Sequence, residues 1–304
     1  MAFSLPHLPV RLQSRAILRY ATVMRNPLRY HLVNVFCVAG QSISGNALAV
    51  FEPSEPLGTD LQQALALQMN LSETTFISGV TAGRAHVRIF TPSYEMPFAG
   101  HPSLGTAEVL RRLGHCASDI VLQVPAGAVP LRRDQDIWTL QRPFGSVRPA
   151  GLDAAVLAAA LGLGAPDLAG EAVWVDTGAC QLLLPLATAG ALDRLAPQYA
   201  QLLGLMPPGQ ALQIYLFHDD GQKVSARFLF DDGFALREDP ATGSACANLG
   251  AWLHAQAPRG AQRRISQGAQ VRRPSELHLG IVPGRGIEVG GRVTYLGSGE
   301  IALP

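Results

Sequence analysis

The chain has 304 residues, about twice the length of a typical single domain, so two structural units are expected. Hydrophobic residues make up 48% of it, enough for packed cores, and a formal net charge of +1 provides no strong field to attract nucleic acid or a membrane surface. The four cysteines are scattered without a CxxC pair, which supports neither a disulfide framework nor a zinc site.

The first 27 residues are interpreted as an extension of the folded unit. Residues 1–51 contain five arginines and no acidic residue, a composition that resembles a mitochondrial presequence. Met24 lies shortly before the first predicted strand, and a secretory segment with a cleavage site is not evident, so an over-extended start is the favoured interpretation. No apolar run is long enough to span a bilayer, and we expect a cytoplasmic protein.

Strand-like alternation recurs along the chain between Gly, Pro and Asp-Gly turns. The predicted strands are 30–36, 47–51, 73–77, 86–90, 120–124, 138–142, 172–176, 181–184, 212–217 and 224–230, with further short ones after Glu276. Helical periodicity is confined to 60–69, 103–113, 153–161, 189–203 and 241–254. These patterns predict a mixed α+β chain dominated by strands, with a lobe boundary in the Gly- and Pro-containing run 145–151.

A short repeat indicates an internal duplication. Residues 101–107 align with residues 239–245, and both segments read X-Pro-x-x-Gly-(Ser/Thr)-Ala. Each copy follows an arginine-plus-aromatic strand, at 88–90 and 227–230, and each precedes an apolar helix. Four identical or similar positions with matching flanks favour two related lobes over a chance match.

Each copy of the repeat predicts a helix start suited to an anion. Pro102 and Pro240 would occupy the first helical position, which makes His101 and Asp239 the N-caps. The unpaired N–H groups of the next turn and the positive end of the helix dipole attract a carboxylate or phosphate. Aspartate is a common N-cap, whereas histidine is a poor one, and this favours a functional role for the imidazole.

Glu73 is a third candidate because it begins the predicted strand 73–77. Strand alternation puts Glu73, Thr75 and Ile77 on one face, with Ser72 on the other. On an exposed edge Glu73 would be an ordinary solvated carboxylate. Facing a cleft, it would have its pKa raised by burial toward the range useful for general acid–base catalysis. The pattern leaves both possibilities open.

Several segments resemble the signature blocks of the PhzF-like (phenazine biosynthesis PhzC/PhzF) family. They are residues 45–51, 72–76, 88–92, 97–102, 238–245, 267–268, 273–275 and 289–291, in the family's order over about residues 28–304. The resemblance implies a diaminopimelate-epimerase-like α+β fold of two pseudo-symmetric lobes, each a curled, mostly antiparallel β-sheet or barrel wrapped around a central helix. We therefore expect an N-terminal extension (1–27), a first lobe (28–144, with the final strand near 293–304) and a second lobe (145–292).

The same resemblance implies a site and an activity. Glu73 stands at the position of the general acid/base, and His101 and Asp239 stand at the flanking polar positions, so these three are the predicted catalytic residues. The predicted substrate-binding residues are Gly100, Thr242, Gly243, Ser244 and Ser72. The expected protein is an isomerase without cofactor or metal, and a homodimer, that shifts a proton on a small carboxylate-bearing metabolite. Two departures from the family pattern lie outside this set, Asn34 for a usual Asp and Ala47 for a usual Pro.

Two other functions stay open at this point. A two-base racemase or epimerase of an amino or hydroxy acid would use the same fold, but with thiols at the two helix starts. This chain has His101 and Asp239 at those places, and Cys246 lies further along. A non-catalytic small-molecule-binding or interaction protein would keep the cleft without turnover. A nucleotide-binding site is disfavoured because neither GxGxxG nor a P-loop motif is present.

Overall fold

The computed structural model describes residues 27–302, so the interpretations of Met24 and of the segment before it lie outside the described residues. The helices are α1 (Thr59–Met69), α2 (Gly100–Arg112), α3 (Ala154–Ala160), α4 (Ala189–Asp193), α5 (Tyr199–Leu205) and α6 (Gly243–Gln256). The strands of the first half are β1 (Leu28–Val35), β2 (Asn46–Glu52), β3 (Glu73–Thr81), β4 (Arg84–Phe90), β5 (Glu95–Met96), β6 (Asp119–Val124), β7 (Gly127–Asp134) and β8 (Ile137–Arg142). Those of the second half are β9 (Ser146–Pro149), β10 (Val173–Asp176), β11 (Cys180–Pro185), β12 (Gln213–Asp219), β13 (Lys223–Asp231), β14 (Leu236–Asp239), β15 (Ala261–Gln267), β16 (Ser275–Val282) and β17 (Gly286–Ile301).

The first lobe is a closed barrel of eight strands. The hydrogen-bonded ring runs β1–β2–β3–β4–β6–β7–β8–β17 and returns to β1. The pairs β2–β3 and β4–β6 are parallel, and the others are antiparallel. Helix α2 packs against the strands from within, and ten of its thirteen residues are buried. The apolar interior of the barrel therefore contains this helix as its centre.

The second lobe repeats this strand order, and it shares one strand with the first lobe. Its sheet runs β9–β10–β11–β12–β13–β15–β16–β17, and the parallel pairs β11–β12 and β13–β15 occupy the equivalent places. Helix α6 is the buried centre of this lobe. Strand β17 serves both lobes, since its first part pairs with β16 and β8 and its second part pairs with β1. The fold is therefore α+β with two pseudo-symmetric lobes, whereas the division at residue 145 stays a prediction.

An arginine–glutamate pair marks the same place in both lobes. Arg88 of β4 pairs with Glu95 of β5 at 2.6 Å, and Arg227 of β13 pairs with Glu238 of β14 at 2.7 Å. In each lobe the central helix begins five residues after the glutamate. These equivalent anchors fix the structural alignment of the two repeats.

That alignment shifts the sequence repeat by five positions. His101 corresponds to Ser244, whereas Asp239 corresponds to Met96 of the first lobe. His101 and Asp239 are therefore not the N-caps, which are Ala99 and Thr242. The prediction that proline begins each helix was wrong in both lobes. Helix α2 begins at Gly100, two residues before Pro102, and α6 begins only at Gly243 because Asp239 is still paired to β13.

Two further predictions of local structure need correction. The segment 189–203 is not one helix but two, α4 and α5, and they are separated by residues 194–198, which contain Pro197. Proline lacks the N–H that a continuing helix would need, which accounts for the break. The run 145–151 contains the short strand β9, and the strands predicted after Glu276 include the 16-residue β17.

No helix of residues 27–302 combines the length and the apolar content that crossing a membrane requires.

Gly105 allows α2 to lie close to the barrel wall. A Cβ atom at this position would lie 2.5 Å from Leu48 Cδ2 and 3.0 Å from Val35 Cγ2. We expect Gly105→Ala to lower the free energy of unfolding by about 1–3 kcal/mol through overpacking, against the usual preference of helices for alanine. Gly204→Ala on α5 is the matched control, since its Cβ would meet nothing within 4 Å. Urea unfolding of both variants measures the difference, and an equal gain in stability for both would contradict the overpacking.

Candidate active site

The strand alternation that places Glu73 is confirmed. Glu73 begins β3, and Thr75 on the same face bonds to Thr106 of α2 through their hydroxyls at 2.9 Å. Ile77, again on this face, belongs to the buried interior of the barrel. Glu73 therefore points inward, toward the start of the central helix, and is not a residue of an exposed edge.

Glu73 and His101 form a close pair at the start of α2. His101 Nδ1 lies 3.0 Å from Glu73 Oε2, and the two side chains are 5% and 18% exposed, respectively. The contact has the distance of an ion pair without the alignment of a hydrogen bond. Neither Glu73 Oε2 nor His101 Nε2 has a hydrogen-bond partner among the described residues. His101 Nε2 therefore has no polar partner among these residues, and Glu73 Oε2 has only the contact with His101, although proteins normally satisfy buried polar groups internally.

Asp239, at the end of β14, is held from both lobes. Asn46 Nδ2 donates to Asp239 Oδ1 at 2.9 Å, and Thr242 Oγ1 donates to Asp239 Oδ2 at 2.5 Å. Gln267 Nε2 donates to the backbone carbonyl of Asp239 at 2.8 Å. Asn46 belongs to the first lobe and the other partners to the second, so the carboxylate lies where the two lobes meet.

Burial and neighbouring charge raise the pKa of Asp239 to about 7. Loss of hydration is the main cause, and the negative charge of Glu73 adds to it. The hydrogen bond from Thr242, the charge of His101 and the hydrogen bond from Asn46 act in the opposite direction and lower the pKa. Glu73, His101 and Asp239 therefore interact electrostatically and form one cluster, although their catalytic roles stay predictions.

The starts of the two central helices face each other beside this cluster. A Cβ atom on Gly243, the first residue of α6, would lie 3.8 Å from the backbone nitrogen of His101 in the first turn of α2. Neither helix has a side chain capping its first turn. First-turn N–H groups have no partner within a helix, so two such ends at close range attract an anion.

The hydroxyls of two predicted substrate-binding residues, Ser72 and Thr242, differ in how many hydrogen bonds they make within the protein. Ser72 is exposed and donates a long hydrogen bond of 3.5 Å to Asn46 Oδ1. The Thr242 hydroxyl donates to Asp239 and accepts from Gln267 Nε2 at 3.0 Å, so it is already engaged within the protein. The substrate-binding roles of both residues stay predictions, with Thr242 better placed to orient Asp239.

Only the first lobe carries a carboxylate–imidazole pair at its helix start. Counted from the strand residues that pair with the equivalent arginines, Gln213 of β12 occupies the place of Glu73. Counted from the equivalent glutamates, Ser244 occupies the place of His101. Both replacements are uncharged, so the pseudo-symmetric position offers no second acid. Proton transfer and substrate binding can thus be divided between the lobes.

Sequence reasoning did not select Asn46 and Gln267 as site residues. Each side chain is 3% exposed, and both hold Asp239 in place. Their only signal in the sequence was their location in the blocks 45–51 and 267–268 that resemble the family. Amides of this kind are identified by their contacts, and these join residues that are distant in the chain.

The family model described as "Phenazine biosynthesis-like protein" matches residues 33–299. This chain belongs to the PhzC–PhzF family. An uncharacterized isomerase of Pasteurella multocida is 37% identical over 92% of this chain and 96% of its own length. The trans-2,3-dihydro-3-hydroxyanthranilate isomerase of Pseudomonas aeruginosa is 34% identical over 82% of this chain and 89% of its own length. The chain is therefore an isomerase of the PhzF family.

The structure of a PhzF-family phenazine biosynthesis protein from Bacillus anthracis has the same fold. It superposes with a TM-score of 0.80 at 19% identity, and the match covers 91% of this chain and 100% of that one. The fold inferred from the sequence blocks is thereby confirmed.

Thiol chemistry of the racemase type fits this PhzF-family chain poorly. The equivalent second positions of the two central helices hold His101 and Ser244, neither of which is a thiol. Cys246 is fully buried in α6, and this burial raises the pKa of its thiol. A thiol that resists ionisation is a poor base for abstracting a proton from carbon.

Asn34, one of the two departures from the expected pattern, makes two hydrogen bonds through its side-chain amide. Its Oδ1 accepts from Arg273 at 2.8 Å, and its Nδ2 donates to the carbonyl of Ser42 at 2.9 Å. Arg273 also donates to the carbonyl of Gly45, the residue before Asn46. With asparagine at position 34, hydrogen bonds from Arg273 still join the two lobes next to Asn46.

Proposed function

We propose that this isomerase moves a proton between two carbons of a small carboxylate substrate, with Glu73 as its single general acid/base. The observation that carries the proposal is the Glu73–His101 pair, whose atoms Oε2 and Nε2 have no hydrogen-bond partner among the described residues, beside two uncapped helix starts. The lack of a carboxylate in the equivalent place of the second lobe supports one base over two.

The proposed reaction is balanced within the substrate. Glu73 takes a proton from one carbon, the electron pair of the broken C–H bond shifts into the neighbouring π system, and the protonated Glu73 returns the proton to a second carbon. The formula of the substrate does not change, and no electron acceptor is needed. The first-turn N–H groups of α2 and α6 hold the substrate carboxylate and stabilise negative charge that develops during transfer. His101 orients Glu73, and Asp239 orients the substrate from the opposite side.

We propose a ring carboxylate as the substrate class, with trans-2,3-dihydro-3-hydroxyanthranilate as the first compound to test. The support is the 34% identity to the Pseudomonas aeruginosa protein that carries this substrate in its name. Such a compound supplies the carboxylate for the helix starts and the conjugated carbons that proton transfer requires.

The test is incubation of the purified protein with trans-2,3-dihydro-3-hydroxyanthranilate in D₂O, followed by NMR. We expect loss of a ring C–H signal and formation of an isomer that either keeps its original hydrogen or has one carbon-bound hydrogen replaced by deuterium. Heat-denatured protein and buffer are the controls. The competing function is a binding protein without turnover. Saturable binding with no isomer, for this compound and for a panel of amino and hydroxy carboxylates, would support that function and contradict ours.

Two further expectations belong to this proposal. The family resemblance implies a homodimer, and light scattering of the purified protein measures its mass. The composition is typical of a cytoplasmic protein, and fractionation of the source cells tests this location.

A further inference from the structure

A buried chain of polar side chains in the second lobe ends at the hydroxyl of Ser244. Its members are Thr177 after β10, Asn248 in α6 and Gln181 in β11, and they are 4%, 0% and 2% exposed, respectively. Ser244, the second residue of α6, is half-buried at the helix start that faces the first lobe. The chain therefore connects the interior of the second lobe to the candidate active site.

Backbone groups fix the orientation of the Asn248 amide. Asn248 Oδ1 accepts from the Thr177 backbone N–H at 3.0 Å and from the Thr177 hydroxyl at 2.8 Å. Asn248 Nδ2 donates to the carbonyl of Ala179 at 2.9 Å. A backbone N–H can only donate and a carbonyl can only accept. An Asn248 amide turned by 180° would therefore place its NH₂ group against the Thr177 N–H and its oxygen against the Ala179 carbonyl.

This orientation propagates to Ser244. Asn248 Nδ2 also donates to Gln181 Oε1 at 2.8 Å, which turns the NH₂ group of Gln181 toward Ser244 Oγ at 2.9 Å and Gln213 Oε1 at 3.3 Å. Because its oxygen accepts this hydrogen bond, the Ser244 hydroxyl keeps its own hydrogen for another acceptor. Within residues 27–302 the hydroxyl donates no hydrogen bond, so that hydrogen is free for a ligand.

We propose that Thr177, Asn248 and Gln181 are positioning residues that hold the Ser244 hydroxyl as a one-directional donor for an anionic acceptor, a carboxylate oxygen of the substrate. The inference rests on the proposed function, and it divides the site between the lobes. The first lobe transfers the proton through Glu73, and the second lobe binds the substrate carboxylate through Ser244 and the uncapped start of α6. Because the Ser244 oxygen already accepts from Gln181, its hydroxyl hydrogen is directed to another acceptor, so this contact favours a carboxylate oxygen over a neutral, donating group such as an amide NH₂.

The test is a double-mutant cycle read out by binding, which does not require turnover. The probe is 3-hydroxyanthranilate, an aromatic carboxylate that cannot undergo the proposed proton shift as the dihydro compound does, and 3-hydroxyanthranilamide is its neutral counterpart. Gln181→Glu replaces the donating NH₂ by an oxygen that accepts from Ser244 and turns the hydroxyl away from the ligand. We expect the Kd for the carboxylate, measured by calorimetry, to rise roughly tenfold or more, the range for a hydrogen bond to a charged group.

Two further variants complete the experiment, one as an alternative substitution of Gln181 and one as a control. Gln181→Met removes the donor without adding a buried charge, and we expect a smaller rise in Kd, which covers the case in which Gln181→Glu does not fold. Gln210→Glu is the matched control, because Gln210 donates to the carbonyl of Cys180 in β11 and has no contact with Ser244. We expect it to leave the Kd unchanged.

The decisive comparison uses Ser244→Ala as the background. If Gln181 acts through Ser244, its substitution has no further effect on Kd in that background, whereas a merely structural role gives the same loss in both. An undiminished loss, an unchanged Kd in both folded Gln181 variants, or equal binding of the carboxylate and the amide by the native protein would overturn the inference. Failure of the proposed function looks different, since the native protein would then bind the carboxylate with this selectivity but form no isomer.

Discussion

Replacing Glu73 by glutamine is expected to lower isomerisation by about 10³-fold, within the range typical for loss of a general acid/base. Glutamine has nearly the same shape and can still lie beside His101, but it neither takes up nor returns a proton at neutral pH. The loss should therefore fall on kcat, while the Kd for 3-hydroxyanthranilate changes little. Rapid kinetics with the native substrate and calorimetry with the probe separate the two quantities.

The chain contains a second glutamate–histidine pair that serves as the control. Glu52 Oε2 lies 3.2 Å from His31 Nε2 in the same barrel, and the His31 side chain is as buried as that of His101, at 5% exposed. Glu52 lies on β2 one position beyond Phe51, which pairs with Phe76, and is therefore further from the helix starts than Glu73. Glu52→Gln should retain activity within a few-fold. Equal losses in the two variants would show that Glu73 acts through stability alone, and full activity of Glu73→Gln would exclude it as the base.

Asp239 is expected to make the stability of the protein fall as the pH rises from about 4 to about 7. Its pKa is raised from 3.8 to about 7 in the folded state, so within this interval the native protein holds a proton that the unfolded chain has released. Stability is lost with rising pH wherever the native state binds more protons than the unfolded state. A shift of this size corresponds to an upper bound on the order of 4 kcal/mol.

The measurement compares native protein and Asp239→Asn by urea unfolding at pH 4.5 and pH 8. The native protein should lose more stability than the variant across this interval, by more than 1 kcal/mol. The same unfolding measurement on Glu73→Gln provides a second comparison. Because the charge of Glu73 raises the pKa of Asp239, its removal should move the loss to lower pH. Parallel pH profiles for native protein and Asp239→Asn would show that Asp239 does not titrate in this range.

The local features of the site could be derived from the sequence because they depend on neighbouring residues. Period-two alternation was enough to put Glu73 on the face shared by Thr75 and Ile77, and apolar periodicity identified the helices that became the centres of both lobes. The repeated Pro and Gly pattern indicated two related lobes. Recognition of the family blocks then supplied the order of the lobes and the three candidate catalytic residues.

The errors arose where pairing between strands competes with local preference. Pro102 and Pro240 suggested that helices begin beside them, but hydrogen bonds between β13 and β14 keep Asp239 in a strand and delay the helix to Gly243. The two repeats were therefore aligned five positions out of register. A shift of five residues changes the equivalent of His101 from Asp239 to Ser244, and with it the division of roles between the lobes.

The sequence by itself determined the family, the two-lobed α+β fold and the three residues Glu73, His101 and Asp239 that meet in one cluster, since blocks, periodicity and composition are properties of neighbouring residues. Only the tertiary structure decided how these residues are held. Asn46 reaches Asp239 across 193 positions of the chain, and Asn248 reaches Gln181 across 67. An amide has the same local preferences whether its partner is a carboxylate, a carbonyl or water. Which atoms it orients is therefore decided only when the two lobes fold and remove those atoms from solvent.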